Sequence, residues 1–194
     1  MPPFHLWMRE GIRMSKQMAV EANAQGETLR LPGILLVFFA PLAVYIATLC
    51  PTVYGGDSGE LIAAAYSLGI AHVPGHPLYV LIGKLFSFLP LGNIAYRLNF
   101  MSAFFAALAL GSLFVLQNLL FVPVGKYFST PSLKFSLPSQ GKGGHEGELP
   151  SFERTILAVL AVLAFGFSET FWHYATTAET YTGGIFFFAL LYIR

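Results

Sequence analysis

Four stretches of the chain are apolar enough to form membrane-scale helices, and polar segments separate them. Leu31 to Leu49 carries no charge, and its prolines, Pro32 and Pro41, are tolerable in a membrane helix because neighbouring groups can satisfy the freed backbone. Phe100 to Val122 is also uncharged and contains Ser102, Ala103, Ala106, Ala107 and Gly111, small residues that let a second helix approach closely. Thr155 to Phe171 is apolar apart from Glu169, and Tyr181 to Ile193 is apolar up to Arg194. About 20 helical residues cross the roughly 30 Å hydrocarbon core of a bilayer, so the pattern predicts spans at 31–49, 100–122, 155–171 and 181–194. The last would reach only roughly 20 Å at 1.5 Å per residue, which implies an N-terminal piece of a longer protein.

Between the first two spans the pattern is shorter. Ser58 to Leu68 reads as a helix ended by Gly69, and Leu78 to Leu89 as a second one stopped by Pro90. Neither can cross a bilayer, so both are placed at the membrane surface with the turn from His72 to Pro77 between them. The expected fold class is all-α and integral to the membrane: a polytopic helical bundle with about four transmembrane helices and two surface helices in its first outer loop.

Composition supports this reading. A chain of 194 residues that is 55% hydrophobic, 15% aromatic and 11% charged is too apolar for an ordinary soluble domain. Positive residues then orient it, because loops rich in lysine and arginine stay cytoplasmic. The arm at 1–30 has Arg9, Arg13, Lys16 and Arg30, and the loop at 123–154 has Lys126, Lys134, Lys142 and Arg154. The loop at 50–99 has only Lys84 and Arg97, and the segment at 168–180 has none. The arm and the 123–154 loop are therefore expected in the cytoplasm, and the other two outside. The polar arm is not a secretory signal, and Met14 is an alternative start. The glycine-rich stretch from Ser136 to Pro150 has linker composition, and Cys50, the single cysteine, has no partner for an intramolecular disulfide.

Candidate chemistry concentrates in the outer loop. Asp57 and Glu60, three residues apart, share a face if they open a helix; they also fit the N-cap and N3 positions of a capping box. Gly55 and Gly56 would let backbone approach a ligand closely, and a carboxylate at the membrane surface could accept a proton from a hydroxyl. His72 and His76 flank Pro74 and Gly75 in a turn. Their spacing suits a metal pair only on a helix, so a polar role, such as donating to a phosphate, is the better reading. Lys84, Arg97 and Asn99 lie near the same interface, where the lysine and arginine could instead snorkel to headgroups. Trp172, Tyr174 and Tyr181 read as an aromatic belt, and Glu179 stands beside a span on the same side as Asp57.

Taken together, Gly56-Asp-Ser-Gly-Glu60, Ala63-Ala-Ala-Tyr66, Leu68-Gly-Ile-Ala-His72, Pro74-Gly75, Pro77-Leu-Tyr79, Arg97-Leu-Asn99 with Ser102-Ala103, and Ala178-Glu-Thr-Tyr-Thr182 resemble the family called domain of unknown function 2723. That family includes the transmembrane protein 260-like protein O-mannosyltransferases. The chain departs from its pattern at Val73, where a second proline is expected, and at His76, where an aromatic is usual. The resemblance implies a C-type membrane glycosyltransferase that takes its sugar from a polyprenyl-phosphate-linked donor and passes it to a hydroxyl of a protein or glycan acceptor. It implies Asp57 as catalytic base with Glu60 in support; His72, His76, Arg97, Asn99 and Glu179 are the candidate substrate-binding residues, the first two and Arg97 as groups to stabilise a departing phosphate. No cofactor is required, a divalent metal is left open, and no nucleic-acid partner is expected beside the lipid bilayer. A polyprenyl donor on the outer face is compatible with a bacterial inner membrane.

Two readings compete with an enzyme. A transporter or lipid-handling protein would use Asp57 and Glu179 along a substrate path, and would carry acidic residues within its spans. A non-catalytic or truncated scaffold would keep the loop but lack the rest of a donor site.

Overall fold

The computed structural model describes residues 31–127 and 151–193, so the 1–30 arm and the Ser136–Pro150 linker lie outside the described residues. Among those residues every regular element is a helix and there is no strand. They are α1 (Leu31–Ala47), α2 (Ser58–Ser67), α3 (Pro77–Ser87), α4 (Ile94–Tyr127), α5 (Ser151–Gly166), α6 (Glu169–Thr176) and α7 (Tyr181–Ile193).

The long helix α4 is the centre of the molecule. Its most extensive contact is with α7, and it also packs on α2, α3, α5 and α6. The small residues on it matter as the sequence suggested: Ala103, Ala106 and Ala107 are fully buried, and Ala103 and Ala106 pack with Val37 and Tyr45 of α1, Ala158 and Val162 of α5 and Phe171 of α6. Gly111 is different, because a Cβ there would meet nothing within 4 Å. One glycine that does admit a neighbour is Gly166, whose added Cβ would stand 2.6 Å from Leu110 Cδ1.

Gly166 also marks the largest departure from the expected spans. The predicted continuous helix at 155–171 is broken: α5 ends at Gly166 and α6 starts at Glu169, with a bend of 67° between them. A broken helix frees backbone carbonyls. The buried Tyr45 hydroxyl donates to the Gly166 carbonyl at 2.6 Å, and the Ser168 hydroxyl donates to that of Phe165 at 2.7 Å. The Trp172 indole N–H is also engaged, donating to Thr48 Oγ1 at 3.1 Å.

Other boundaries shift as well. The second span begins at Ile94 and not at Phe100, which brings Arg97 and Asn99 inside α4, and α4 and α5 extend to Tyr127 and Ser151, into the stretch read as a loop at 123–154. Among the described residues one helix, Ile94–Leu119, is long and apolar enough alone to cross a membrane; its length is about 39 Å. The bent pair of Glu153–Gly166 and Glu169–Thr176 makes a second candidate if it counts as one span, whereas Leu31–Ala47 and Tyr181–Ile193 are shorter apolar helices. One or two candidate spans thus stand where four were expected.

The two short helices of the 50–99 loop form as predicted and pack on each other and on α4. Leu61 and Ala64 of α2 meet Val80 of α3, and Ile62 and Ala65 meet Leu98 and Met101 of α4. Gly83 sits where the three cross: a Cβ on it would be 2.7 Å from Ala65 Cβ and 3.0 Å from Leu98 Cδ1. A stub methyl cannot swing aside, so Gly83→Val is expected to destabilise the fold by about 1–3 kcal/mol, the usual cost of overpacking. Thermal unfolding in detergent or lipid checks this, and an unchanged midpoint would show that α3 does not pack there.

Candidate functional site

Loops from both halves of the chain meet at one end of the bundle. The segment after α1 is held to the end of α6 by the Cys50 N–H, which donates to the Thr176 carbonyl at 3.1 Å. The wholly buried Asn99 of α4 ties the same segment down: its Nδ2 donates to the carbonyls of Cys50 at 2.7 Å and Thr52 at 3.0 Å. The α6–α7 connection is anchored on α4 in turn, since the Glu179 N–H donates to Ser102 Oγ at 3.3 Å. The acidic residues of the 50–99 segment and Glu179 are thereby brought to one region.

Asp57 and Glu60 do not form the capping box that their spacing allowed. Asp57 occupies the N-cap position of α2, but its side chain makes no capping hydrogen bond. Glu60 turns instead to a residue twelve positions on. Its Oε1 accepts the His72 backbone N–H at 2.5 Å, and its Oε2 lies 3.2 Å from His72 Nδ1. The other ring nitrogen, Nε2, stands 3.7 Å from Asp57 Oδ2. The His72 imidazole is thus placed between two carboxylates, all three side chains being exposed. Such a ring can donate to Glu60 while facing Asp57, an arrangement suited to holding a proton or orienting the second carboxylate. The same trio could hold a cation, since one ligand atom from each of Asp57, Glu60 and His72 lies within 4.8 Å of the others.

The His76 ring meets that of His72 edge-on with centroids 5.4 Å apart, and His76, with positive φ of 43°, serves as the N-cap of α3 ahead of Pro77. Arg97 is engaged locally: its guanidinium donates to the carbonyls of Leu91 and Ser87, each at 2.6 Å, and of Gly92 at 3.1 Å. These bonds clasp the turn between α3 and α4. Lys84 likewise donates to the Tyr66 carbonyl at 2.5 Å and lies over the Tyr66 ring, which joins α3 to the end of α2.

Glu179 faces the cluster electrostatically. Burial, with a further contribution from Asp57, holds its carboxyl above the ordinary value of 4.5, against the opposing pull of His173 and His72. His173 was not among the residues singled out as binding groups; its ring stacks edge-on against Tyr54 at 5.0 Å, and nothing local in the sequence marks it. Tyr79 was visible only within the Pro77-Leu-Tyr79 motif. Burial, and then Glu179, raise its hydroxyl's pKa.

A carboxyl whose pKa is raised on folding adds stability below its unfolded pKa and loses it as pH rises through the folded value. Glu179→Gln is therefore expected to raise the melting temperature relative to the wild type as pH rises through the raised folded-state value, and to give no such gain below pH 4.5. Melting curves of both proteins from pH 4 to pH 8 test this; a gain that does not grow with pH would contradict it.

A cavity of about 230 Å³ opens beside Glu179, between α3, α4 and α7, with His76, Tyr79, Ile82, Phe105, Thr182 and Phe187 among its walls. A groove of about 600 Å³ adjoins it, sharing His76, Thr180 and Gly184 and continuing past Leu113, Leu116 and Phe188 to Ala189.

Comparison with known proteins places the chain in a family. The family described as "Protein O-mannosyl-transferase TMEM260 N-terminal domain" matches residues 57–193, which takes in the acidic cluster, Glu179 and the cavity. The chain is 35% identical over 162 residues to the mouse (Mus musculus) protein O-mannosyl-transferase TMEM260, covering 83% of this chain and 19% of that protein. It is 39% identical over 79 residues to the Dictyostelium discoideum protein O-mannosyl-transferase tmem260, covering 39% of this chain and 10% of that protein. The chain thus spans about a fifth or less of the length of these relatives. Neither organism is bacterial, so the bacterial inner membrane gains no support from them. No solved structure matches the chain. With the match reaching from Asp57 through Ile193, the chain belongs to the family of protein O-mannosyl-transferase TMEM260 N-terminal domains.

Proposed function

We propose that the chain is the N-terminal, membrane-embedded part of a C-type glycosyltransferase, which moves a sugar from a polyprenyl-phosphate-linked donor to an acceptor hydroxyl on the non-cytoplasmic face. The observation that carries this reading is the convergence of Asp57, Glu60 and His72 with Glu179 beside a mainly apolar cavity and groove. The relatives' name, protein O-mannosyl-transferase, suggests mannose as the sugar and a protein as the acceptor.

In the proposed reaction the acceptor oxygen attacks the anomeric carbon of the sugar as the carbon–oxygen bond to phosphate breaks. The bonding pair leaves on the phosphate, giving polyprenyl phosphate, and the hydroxyl proton passes to Asp57. Asp57 suits the role of base because its side chain is exposed and makes no capping bond. His72, braced by Glu60 through both backbone and ring, orients Asp57 through its other ring nitrogen. Arg97 and Asn99, whose donors are already given to backbone carbonyls, act by holding the loops in place. No step requires a metal.

The membrane setting is supported by surface chemistry. Leu35, Leu36 and Phe39 on α1, Leu157 and Leu160 on α5, and Phe188, Leu191 and Tyr192 on α7 are all exposed. An apolar exterior of this extent is unfavourable in water and natural in lipid. The adjoining groove, walled by Leu113, Leu116 and Phe188, would take a hydrocarbon chain and favours a lipid-linked donor over a water-soluble one. The acidic residues of the site lie outside the candidate span Ile94–Leu119, whose one charged residue is Arg97; that distribution favours an enzyme over a transporter.

The test is to supply membranes containing the chain, within the longest reading frame that includes it, with labelled sugar as either a polyprenyl phosphate or a nucleotide diphosphate. Label is expected on the acceptor from the lipid donor only. Transfer from the nucleotide donor alone would overturn the donor assignment, and transfer from neither would overturn the enzymatic reading.

A further inference from the structure

Four aromatic rings stand in a row at the end of the bundle that holds the acidic cluster. Tyr54, in the segment before α2, meets His173 of α6 edge-on with centroids 5.0 Å apart; His173 meets Tyr174 at 5.5 Å, and Tyr174 meets Tyr181, the first residue of α7, at 4.4 Å. The two ends of the row are open, Tyr54 being 50% and Tyr181 55% exposed, and His173 is exposed as well. The row adjoins the proposed chemistry. Tyr54 precedes Asp57 by three residues, and Glu179, two residues before Tyr181, feels the charges of Asp57, His173 and His72.

Carboxylates accompany these rings, and the segments that carry them supply no side-chain cation in return. Residues 48–60 and 167–183 hold Asp57, Glu60, Glu169 and Glu179 and neither lysine nor arginine. Glu169 lies one turn before His173 on α6, so the two share a helix face. Lys84 and Arg97 of the 50–99 segment are turned to backbone carbonyls. An exposed aromatic face attracts a cation through its negative quadrupole, and a carboxylate nearby adds to the pull. Anionic headgroups would be repelled by the same charges, so a membrane belt of tyrosines accounts for the rings but not for the acids among them. A polypeptide that carries lysine or arginine meets both features: its cation lies on a ring face beside a carboxylate, and its backbone and apolar groups cover the remaining tyrosine surface.

We propose that the row from Tyr54 to Tyr181 seats the acceptor polypeptide and favours acceptor hydroxyls that have a lysine or arginine close by in sequence. Its place in a reaction rests on the glycosyltransferase reading: the hydroxyl presented to Asp57 and the cation held at the rings belong to one strand. An extended chain advances about 3.3–3.6 Å per residue. Because Tyr54 is itself three residues from Asp57, the cation falls within about three residues of the hydroxyl. Tyr54 and Tyr181 are then specificity-determining residues for the acceptor and take no part in proton transfer.

The experiment uses the chain within the longest reading frame that includes it, in a non-ionic detergent free of choline. The probes are short labelled peptides that share a central threonine and carry arginine, glutamine or glutamate two residues after it. Fluorescence anisotropy follows binding for wild type, for Tyr54→Leu/Tyr181→Leu, which keeps apolar area but removes the ring faces, and for Glu169→Gln. Saturable binding of the arginine peptide is expected, about tenfold or more tighter than that of the glutamate peptide. It should weaken by about three- to tenfold in the double tyrosine variant, and weaken also in Glu169→Gln and at high salt. Equal melting temperatures confirm that the double variant folds; if it does not, Tyr54→Leu and Tyr181→Leu are compared singly in its place. Equal affinity for the three peptides, or an arginine preference that survives the loss of both tyrosines, would overturn the polypeptide seat. Phosphocholine that binds the wild type where no peptide does would overturn it in favour of a lipid headgroup. Transfer is scored separately: an arginine preference in binding with no transfer to any peptide would leave the seat standing and remove the enzymatic reading, whereas transfer whose acceptor KM ignores both the arginine and the tyrosines would do the reverse.

Discussion

Asp57→Asn is expected to lower sugar transfer by about 10²–10⁴-fold, the usual contribution of a positioned general base, with little change in the melting temperature. The two halves of that expectation have separate causes. Asparagine keeps the shape of the side chain but cannot accept the acceptor's proton. The fold loses little because the Asp57 side chain is exposed, makes no cap to α2 and has as its near polar neighbour only His72 Nε2, 3.7 Å away. An exposed pair at that distance contributes little to stability. Initial rates and melting curves on the same preparations check the prediction. Equal rates would remove Asp57 from the chemistry, and a large fall in melting temperature would make it a structural residue.

Asn99→Leu should do the opposite and strike the fold first. The leucine fills a similar volume but withdraws the two donations to the Cys50 and Thr52 carbonyls. A buried acceptor left unpaired costs about 1–3 kcal/mol. Thr52 is exposed, so water can serve its carbonyl and the expected loss is that of one bond, about 1–3 kcal/mol. Because the freed segment leads directly to Asp57, transfer should fall as well. Thermal unfolding separates this role from substrate binding: an unchanged melting temperature with a raised KM would return Asn99 to the substrate.

Hydrophobic periodicity located the helices well, because burial of long apolar runs is a local property of the sequence. The two short helices of the 50–99 segment and the packing role of Ala103 and Ala106 were legible for that reason. The break after Gly166 was not. Gly183 and Gly184 sit in a continuous helix with nothing near their added Cβ positions, whereas at Gly166 the Leu110 side chain and the Tyr45 hydroxyl crowd in. What ends α5 is packing by residues 56 and 121 positions away. The site shows the same division. Asp57, Glu60, His72 and Glu179 are polar groups in an apolar chain and stand out by contrast, but a capping box is a local inference, and the turn at His72 to Pro77 folds a more distant partner onto Glu60. Arg97 and Asn99 stood out equally, yet their donors go to carbonyls brought near by tertiary contacts.

The central claim is that a sugar leaves a lipid phosphate at the end of the bundle where Asp57, His72 and Glu179 meet. It is tested most directly by the initial rate of labelled-sugar transfer from polyprenyl phosphate to a hydroxyl-bearing peptide, in lipid vesicles with matched amounts of inserted wild type, Asp57→Asn and His72→Ala. Transfer by the wild type, near-complete loss in Asp57→Asn and a smaller loss in His72→Ala are predicted. Transfer that proceeds at the wild-type rate in both variants would place the chemistry elsewhere in the molecule.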